Sequence, residues 1–239
     1  MDVLSNTAKR RAYAETYANS ALESVDRDIE LHGLTPEASD STTNHAQGAR
    51  QQFHPNVQLD LEPILALVTL CTYEYCQRGN IPKMRLRANQ AITTAMDMSL
   101  HDLPKEGVET PESQRRTWWM AMYMGYLSSI LNVSPPIVSI NDPRIGTRYP
   151  EFDVPYEPWS LILKAQQALF SSTEMLKDFE VGPKGLRVPM AERNFNDLDA
   201  VIQSLVIESD RPLPMMNRQD AEAAAAEGIW IIARILIHT

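Results

Sequence analysis

Apolar residues return at helical spacing in one stretch of this chain after another, and polar, glycine or proline positions break the pattern between them. In residues 2 to 32, Ala8, Ala12, Tyr13, Ala14, Tyr17, Ala21, Leu22, Val25 and Ile29 recur amid charges, which predicts a helix that Gly33 and Pro36 end. The stretch that follows is poor in aliphatics and rich in Ser, Thr, Asn and Gln, too little to offset the entropy of ordering, so 34–59 is expected to be a mobile loop. Asp60 can cap the next helix, whose apolar face of Leu61, Ile64, Leu65, Val68, Cys71, Thr72 and Tyr75 leads up to Gly79. Pro82 then opens a helix to about Leu100, and the short joint makes the pair an antiparallel hairpin.

A fourth helix is expected from near Pro111 to about Val133, where Ser134-Pro135-Pro136 stops it. Residues 134–157 are proline-rich and without period, an extended crossing segment. Further helices are expected from Pro158 to about Phe179, from Pro189 to about Ile207 and from Gln219 to His238. The last ends apolar and without a cap, which predicts either a truncated chain or a surface that another segment covers. No alternation of strand type and no fixed-period repeat interrupts the series. The expected class is all-α: a single multi-helix domain of antiparallel hairpins over 1–239, with one proline-rich crossing segment.

Composition narrows the function. A 239-residue chain with 44% hydrophobic residues can bury a large core, and a net charge of -9 makes it a poor nucleic-acid binder by itself. Apolar runs such as Ile64 to Cys71 are far too short to span a membrane as a helix. The protein should therefore be soluble, in the nucleus or cytosol. Cys71 and Cys76, five positions apart on a helix, project in widely different directions, which reads as a pair of free intracellular thiols. His32, His45, His54, His101 and His238 include no pair at a ligand spacing, so neither a metal nor a cofactor is expected.

Phosphate-cradling, dinucleotide-binding, zincin and hydrolase-elbow motifs are all absent from the sequence. The best acid-base candidate is Asp97 with His101, four apart on one expected helix, where a carboxylate can orient an imidazole. A histidine complementing the dipole of a helix end is the simpler explanation of the same spacing. The basic run Lys83-Met84-Arg85-Leu86-Arg87 starts a helix where cations are slightly unfavourable and so calls for partners. Met96, Met98, Met120, Met122 and Met124 suit an irregular core or an adaptable pocket. Trp118 and Trp119 are adjacent and so point to different sides of their helix, and Trp119 shares a side with Tyr123 and Tyr126, so the helix should be buried on most of its circumference. Arg115 and Arg116 precede this stripe and can either cover indole faces or bind carboxylates at the edge of the core.

The order Ala95-Met96-Asp97-Met98-Ser99-Leu100-His101, a short acidic loop, Arg115-Arg116-Thr117-Trp118-Trp119, then Pro135-Pro136-Ile137-Val138 and Asp142 resembles the middle homology region of fungal zinc-cluster transcription factors. In that family a helix ending in a Gly-Leu-His-like element precedes an Arg-Arg-x-Trp-Trp helix; here Ser99 stands in place of the glycine. The resemblance is strongest over 57–150. It implies an all-helical regulatory domain, acting in the nucleus, that senses a metabolite or contacts a protein partner. The family's six-cysteine DNA-binding cluster has no counterpart among two helix-borne cysteines.

Two readings follow. The first is a transcription-regulatory domain that binds a small effector or a protein partner, a second copy of itself included, without touching DNA or membrane. Its pocket candidates are Trp118, Trp119, Met122, Tyr123 and Tyr75, with Arg115 and Arg116 beside them. The second is a cofactor-independent isomerase or ring-rearranging enzyme of fungal secondary metabolism on the same scaffold, with Asp97 and His101, or a tyrosine such as Tyr73, Tyr75 or Tyr123, moving protons.

Overall fold

A computed structural model describes residues 3–33, 52–104, 112–181, 188–213 and 220–238. Among them the protein is all-α, with no strand. The helices are α1 (Val3–Gly33), α2 (Glu62–Cys76), α3 (Ile81–Asp97), α4 (Glu112–Asn132), α5 (Pro158–Val181), α6 (Val188–Ser209) and α7 (Ala221–Ile237). The loop expected over 34–59 falls outside the described residues for 34–51.

Each helix forms where an apolar face can be buried. On α2, Ile64, Leu67 and Cys71 are fully inaccessible, and on α3 Met84, Ala88, Ala91, Ile92 and Ala95 take the same part. The two form the expected hairpin: Gly79 turns at φ +61, and the Asn80 side chain caps α3 by accepting from the Lys83 amide at 3.1 Å. The cap expected from Asp60 is replaced by a 3₁₀ turn, Leu59–Leu61, which leaves Leu61 at the N-cap of α2 with no side-chain cap bond.

The helix α3 stops earlier than its periodicity suggests. Met98 leaves the helix, Ser99 adopts the left-handed conformation at φ 59, and Leu100–Asp102 form a 3₁₀ turn. A left-handed residue is where helices commonly accept glycine, which accounts for the glycine found there in the element that this stretch resembles.

The centre of the fold is α4, which packs against α2, α3 and α5. Trp118, Trp119, Ala121, Met122, Met124 and Tyr126 are all buried on it, so the helix is covered on most of its circumference as its stripe predicts. Its Gly125 meets α3 so closely that a Cβ there would lie 2.5 Å from Cδ1 of Ile92. Beyond it, α5 buries Leu161, Ile162 and Leu163 and supports α6 and α7. One apolar core draws on every helix, from Val25 on α1 to Leu205 on α6 and Trp230 on α7. The indole of Trp230 donates to Ser209 O at 3.2 Å, which ties α7 to the end of α6. At its own end α7 leaves Ile231, Ile232 and Ile235 exposed, while Arg234 pairs with Asp210 at 2.8 Å.

Candidate functional site

The crossing segment has neither helix nor strand, so its backbone needs partners from elsewhere. Side chains of the helices supply them. The Trp119 Nε1 donates to Arg148 O at 2.7 Å while its ring lies against Tyr149, centroids 4.3 Å apart. The Tyr126 hydroxyl accepts from the Ile140 amide at 2.8 Å, and Arg85 of the basic run donates to Pro135 O at 2.8 Å. Thr147 closes the far side: its hydroxyl donates to Leu100 O at 2.6 Å and accepts from the Leu103 amide at 2.9 Å. The Gly146 and Thr147 amides both donate to His101 O, at 2.8 and 3.1 Å. Gly146 has no room for a side chain there, because a Cβ would overlap the Asp102 carboxylate. Trp119, Leu100 and His101, which belong to the stretch that carries the resemblance, thus join Tyr126, Arg85 and Thr147 in fastening an irregular segment to α3, to α4 and to the turn after α3.

The two arginines settle on carboxylates and not on indoles. Arg115 Nε lies 2.9 Å from Glu112 and its Nη1 3.4 Å from Glu151. Arg116 reaches Glu112 at 3.2 Å through Nε, and Glu222 on α7 at 2.8 Å and Glu151 O at 3.2 Å through Nη2. Glu112 also accepts from the Glu151 amide at 3.0 Å. Among the described residues the ring that does lie under a cation is Phe152, 5.0 Å from the Arg116 guanidinium carbon. Burial opposes the Arg116 charge, yet the bonds to Glu222 and Glu112 outweigh it and hold its pKa above the ordinary value. One guanidinium therefore joins α4, the crossing segment and the first turn of α7, where a carboxylate is also favoured by the helix dipole.

Beside this network lies a cleft of about 530 Å³, of the size that holds small ligands. Val57, Leu65 and Met120 give it apolar surface; Ser113, Arg116 and Glu222 give it a polar wall. His54 also lines it. The Asn56 amide donates to Nδ1 of His54 at 3.2 Å. In the neutral ring the proton is therefore on Nε2. A second cleft, of about 440 Å³, runs between α5 and α6 past Lys164 and Glu208.

Of the residues singled out from sequence, Arg116 lines the first cleft. Trp118, Trp119 and Met122 are core residues at 0, 3 and 0% exposure. Tyr123 meets Trp159 edge-on at 6.5 Å, Tyr75 stands on the outer side of α2, and Arg115 serves the carboxylate network. Burial raises the pKa of Tyr123 and Tyr126, and with help from Glu157 carries Tyr149 to about 12, so these phenols keep their protons. Asp97 and His101 do not share a helix face: α3 ends at Asp97, the chain turns through the left-handed Ser99, and His101 lies in the 3₁₀ turn. Its ring is 6.0 Å from that of Trp118. Hydrogen bonds from Arg144 hold the Asp142 carboxyl down at about 2. Both cysteines are free, and burial pushes the Cys71 thiol up to about 12. Among the described residues no group of His, Cys, Asp and Glu is arranged to hold a metal, and no helix is long and apolar enough to cross a membrane.

Sequence reasoning missed Glu151, Glu222, Val57 and Leu65. The usable signal was two arginines in the first turns of α4, where the helix dipole disfavours cations and so demands acidic partners.

The chain is similar to two fungal transcriptional activators. It is 28% identical over 118 residues to the citrinin biosynthesis transcriptional activators mrl3 of Monascus ruber and ctnR of Monascus purpureus. The match covers 46% of this chain but only 23% and 20% of those proteins, so the chain spans well under two thirds of the length of the curated relatives it matches. No protein-family model and no solved structure matches it.

Proposed function

We propose that this chain is a transcription-factor-type regulatory module of fungal secondary metabolism, which acts in the nucleus, takes a small effector in the cleft beside Arg116, and does not itself bind DNA. The observation that carries the reading is the junction of cleft and scaffold: the guanidinium that walls the cleft also holds Glu151 O of the crossing segment and Glu222 of α7. A ligand that engages Arg116 competes with or completes those bonds, and so changes how α7 and the crossing segment sit on α4. Similarity to transcriptional activators supports the regulatory role. The net charge of -9 argues against direct contact with phosphates.

Calorimetric titration with citrinin and a panel of other fungal secondary metabolites tests the effector site. Binding should be lost in Met120→Trp, which fills the cleft, and weakened at least ~10-fold in Arg116→Gln. A metabolite that binds both variants as it binds the parent chain does not occupy this cleft, and the reading fails. In a mobility-shift assay the isolated chain should leave duplex DNA unretarded.

A further inference from the structure

Helix α1 is long and lightly used. It packs against α2, buries Val25 deeply and sends Glu15 to Arg78 at 3.9 Å. On another of its sides Tyr13 and Tyr17 stand 66% and 73% exposed. Four positions apart, they lie about 40° from each other around the axis. Paired exposed aromatics on one helical stripe are a contact surface that lacks a partner among the described residues.

Charge along α1 is sorted by position. Lys9, Arg10 and Arg11 are exposed in the first half, where Glu15, turned to Arg78, is the exception, whereas Glu23, Asp26 and Glu30 are exposed in the second, where Arg27 is the exception. Lys9 and Glu23 also share one flank of the tyrosine stripe, about 40° apart and roughly 21 Å along the axis. The midpoint of Lys9 and Glu23 is Thr16, and that of Tyr13 and Tyr17 is the adjacent Glu15. A two-fold axis passing beside the helix at that level, perpendicular to it, brings Lys9 opposite Glu23 of a second copy twice, and Tyr13 opposite Tyr17 of the second copy twice.

We propose that α1 pairs antiparallel with α1 of a second copy of this chain and makes it a homodimer. The surface is complementary to itself: a purely basic or purely acidic partner would match one half of α1 and repel the other. Parallel pairing would set this flank of one copy against the opposite flank of the other, so only the antiparallel arrangement brings Lys9 to Glu23. An anionic membrane or nucleic acid would meet the acidic half of α1 on a chain that already carries a net charge of -9.

Sedimentation equilibrium on the whole chain across the micromolar range, at low and high salt, tests this. The parent should be dimeric at low salt. Lys9→Glu and Glu23→Lys should each weaken the dimer by roughly 10-fold or more, because each creates two like-charge contacts. The double variant Lys9→Glu/Glu23→Lys should recover the parent affinity, and Tyr13→Ser/Tyr17→Ser should be monomeric. Both charged positions are exposed, so far-UV circular dichroism should show all variants folded. A monomeric parent, a dimer indifferent to the single changes, or a double variant no tighter than the singles overturns the proposal.

Discussion

The crossing segment and α1 make an instructive pair, because each contradicts its own local regularity. The segment from 134 to 157 has no repeating pattern, yet Trp119, Tyr126, Arg85, Arg116 and Thr147 bind its backbone or anchor it at many points. In contrast α1 is the longest helix of the described residues, and most of its first half stands in water. Integration into the fold is thus decided by how many side chains from other elements reach a segment, and periodicity alone does not report it.

The comparison breaks most easily at Trp119. Its replacement in Trp119→Ala removes a buried indole, the contact with Tyr149 and the donor to Arg148 O. The cost in guanidinium unfolding should be about 3–5 kcal/mol. A loss below ~1 kcal/mol would mean that the crossing segment is held by something other than α4. Next in size, Thr147→Val keeps the shape but strips partners from Leu100 O and the Leu103 amide. By the same measurement it should cost about 1–3 kcal/mol. Ser99→Gly should act in the opposite direction, since it relieves the left-handed strain at φ 59. That strain is worth roughly 1 kcal/mol, offset in part by the freedom glycine gains on unfolding, so the thermal midpoint should rise modestly. Smallest of all is Tyr17→Ser on α1, which changes an exposed side chain. At concentrations where the chain is monomeric, its unfolding free energy should stay within about 0.5 kcal/mol of the parent. A larger loss would show that α1 is as firmly built in as the crossing segment.

What can be read in advance follows the same division. The helices are legible because Ile64 and Cys71, or Ala88, Ala91 and Ala95, repeat at a spacing that a buried face requires, although on α2 Leu67 and Leu70 are buried and Thr72 and Tyr75 of the expected face are exposed. Pro158 and the Ser134-Pro135-Pro136 stop mark boundaries for a covalent reason, the missing amide donor. The end of α3 is hidden because Ser99 takes a left-handed conformation without being glycine, so no residue type announces it. That shift also separates Asp97 from His101, a pairing that depends wholly on unbroken helical register. Of the cleft, only Arg116 and Met120 are legible. Val57, Leu65, Arg116 and Glu222 come from distant parts of the chain, and no local pattern links them. Only the cost of placing Arg115 and Arg116 at a helix start hints that acidic groups from elsewhere are near.

The bond from Arg116 to Glu222 also orders events in time. It joins positions 106 apart in the chain, whereas the Cys71 contact with Met84 O inside the hairpin spans 13. Closing the longer loop costs more entropy, so contacts of that kind form after the local ones. On a ribosome delivering residues one by one, the α2–α3–α4 core is available to fold long before Glu222 emerges. Arg116 then already holds Glu112, and the first turn of α7 docks onto a finished receptor.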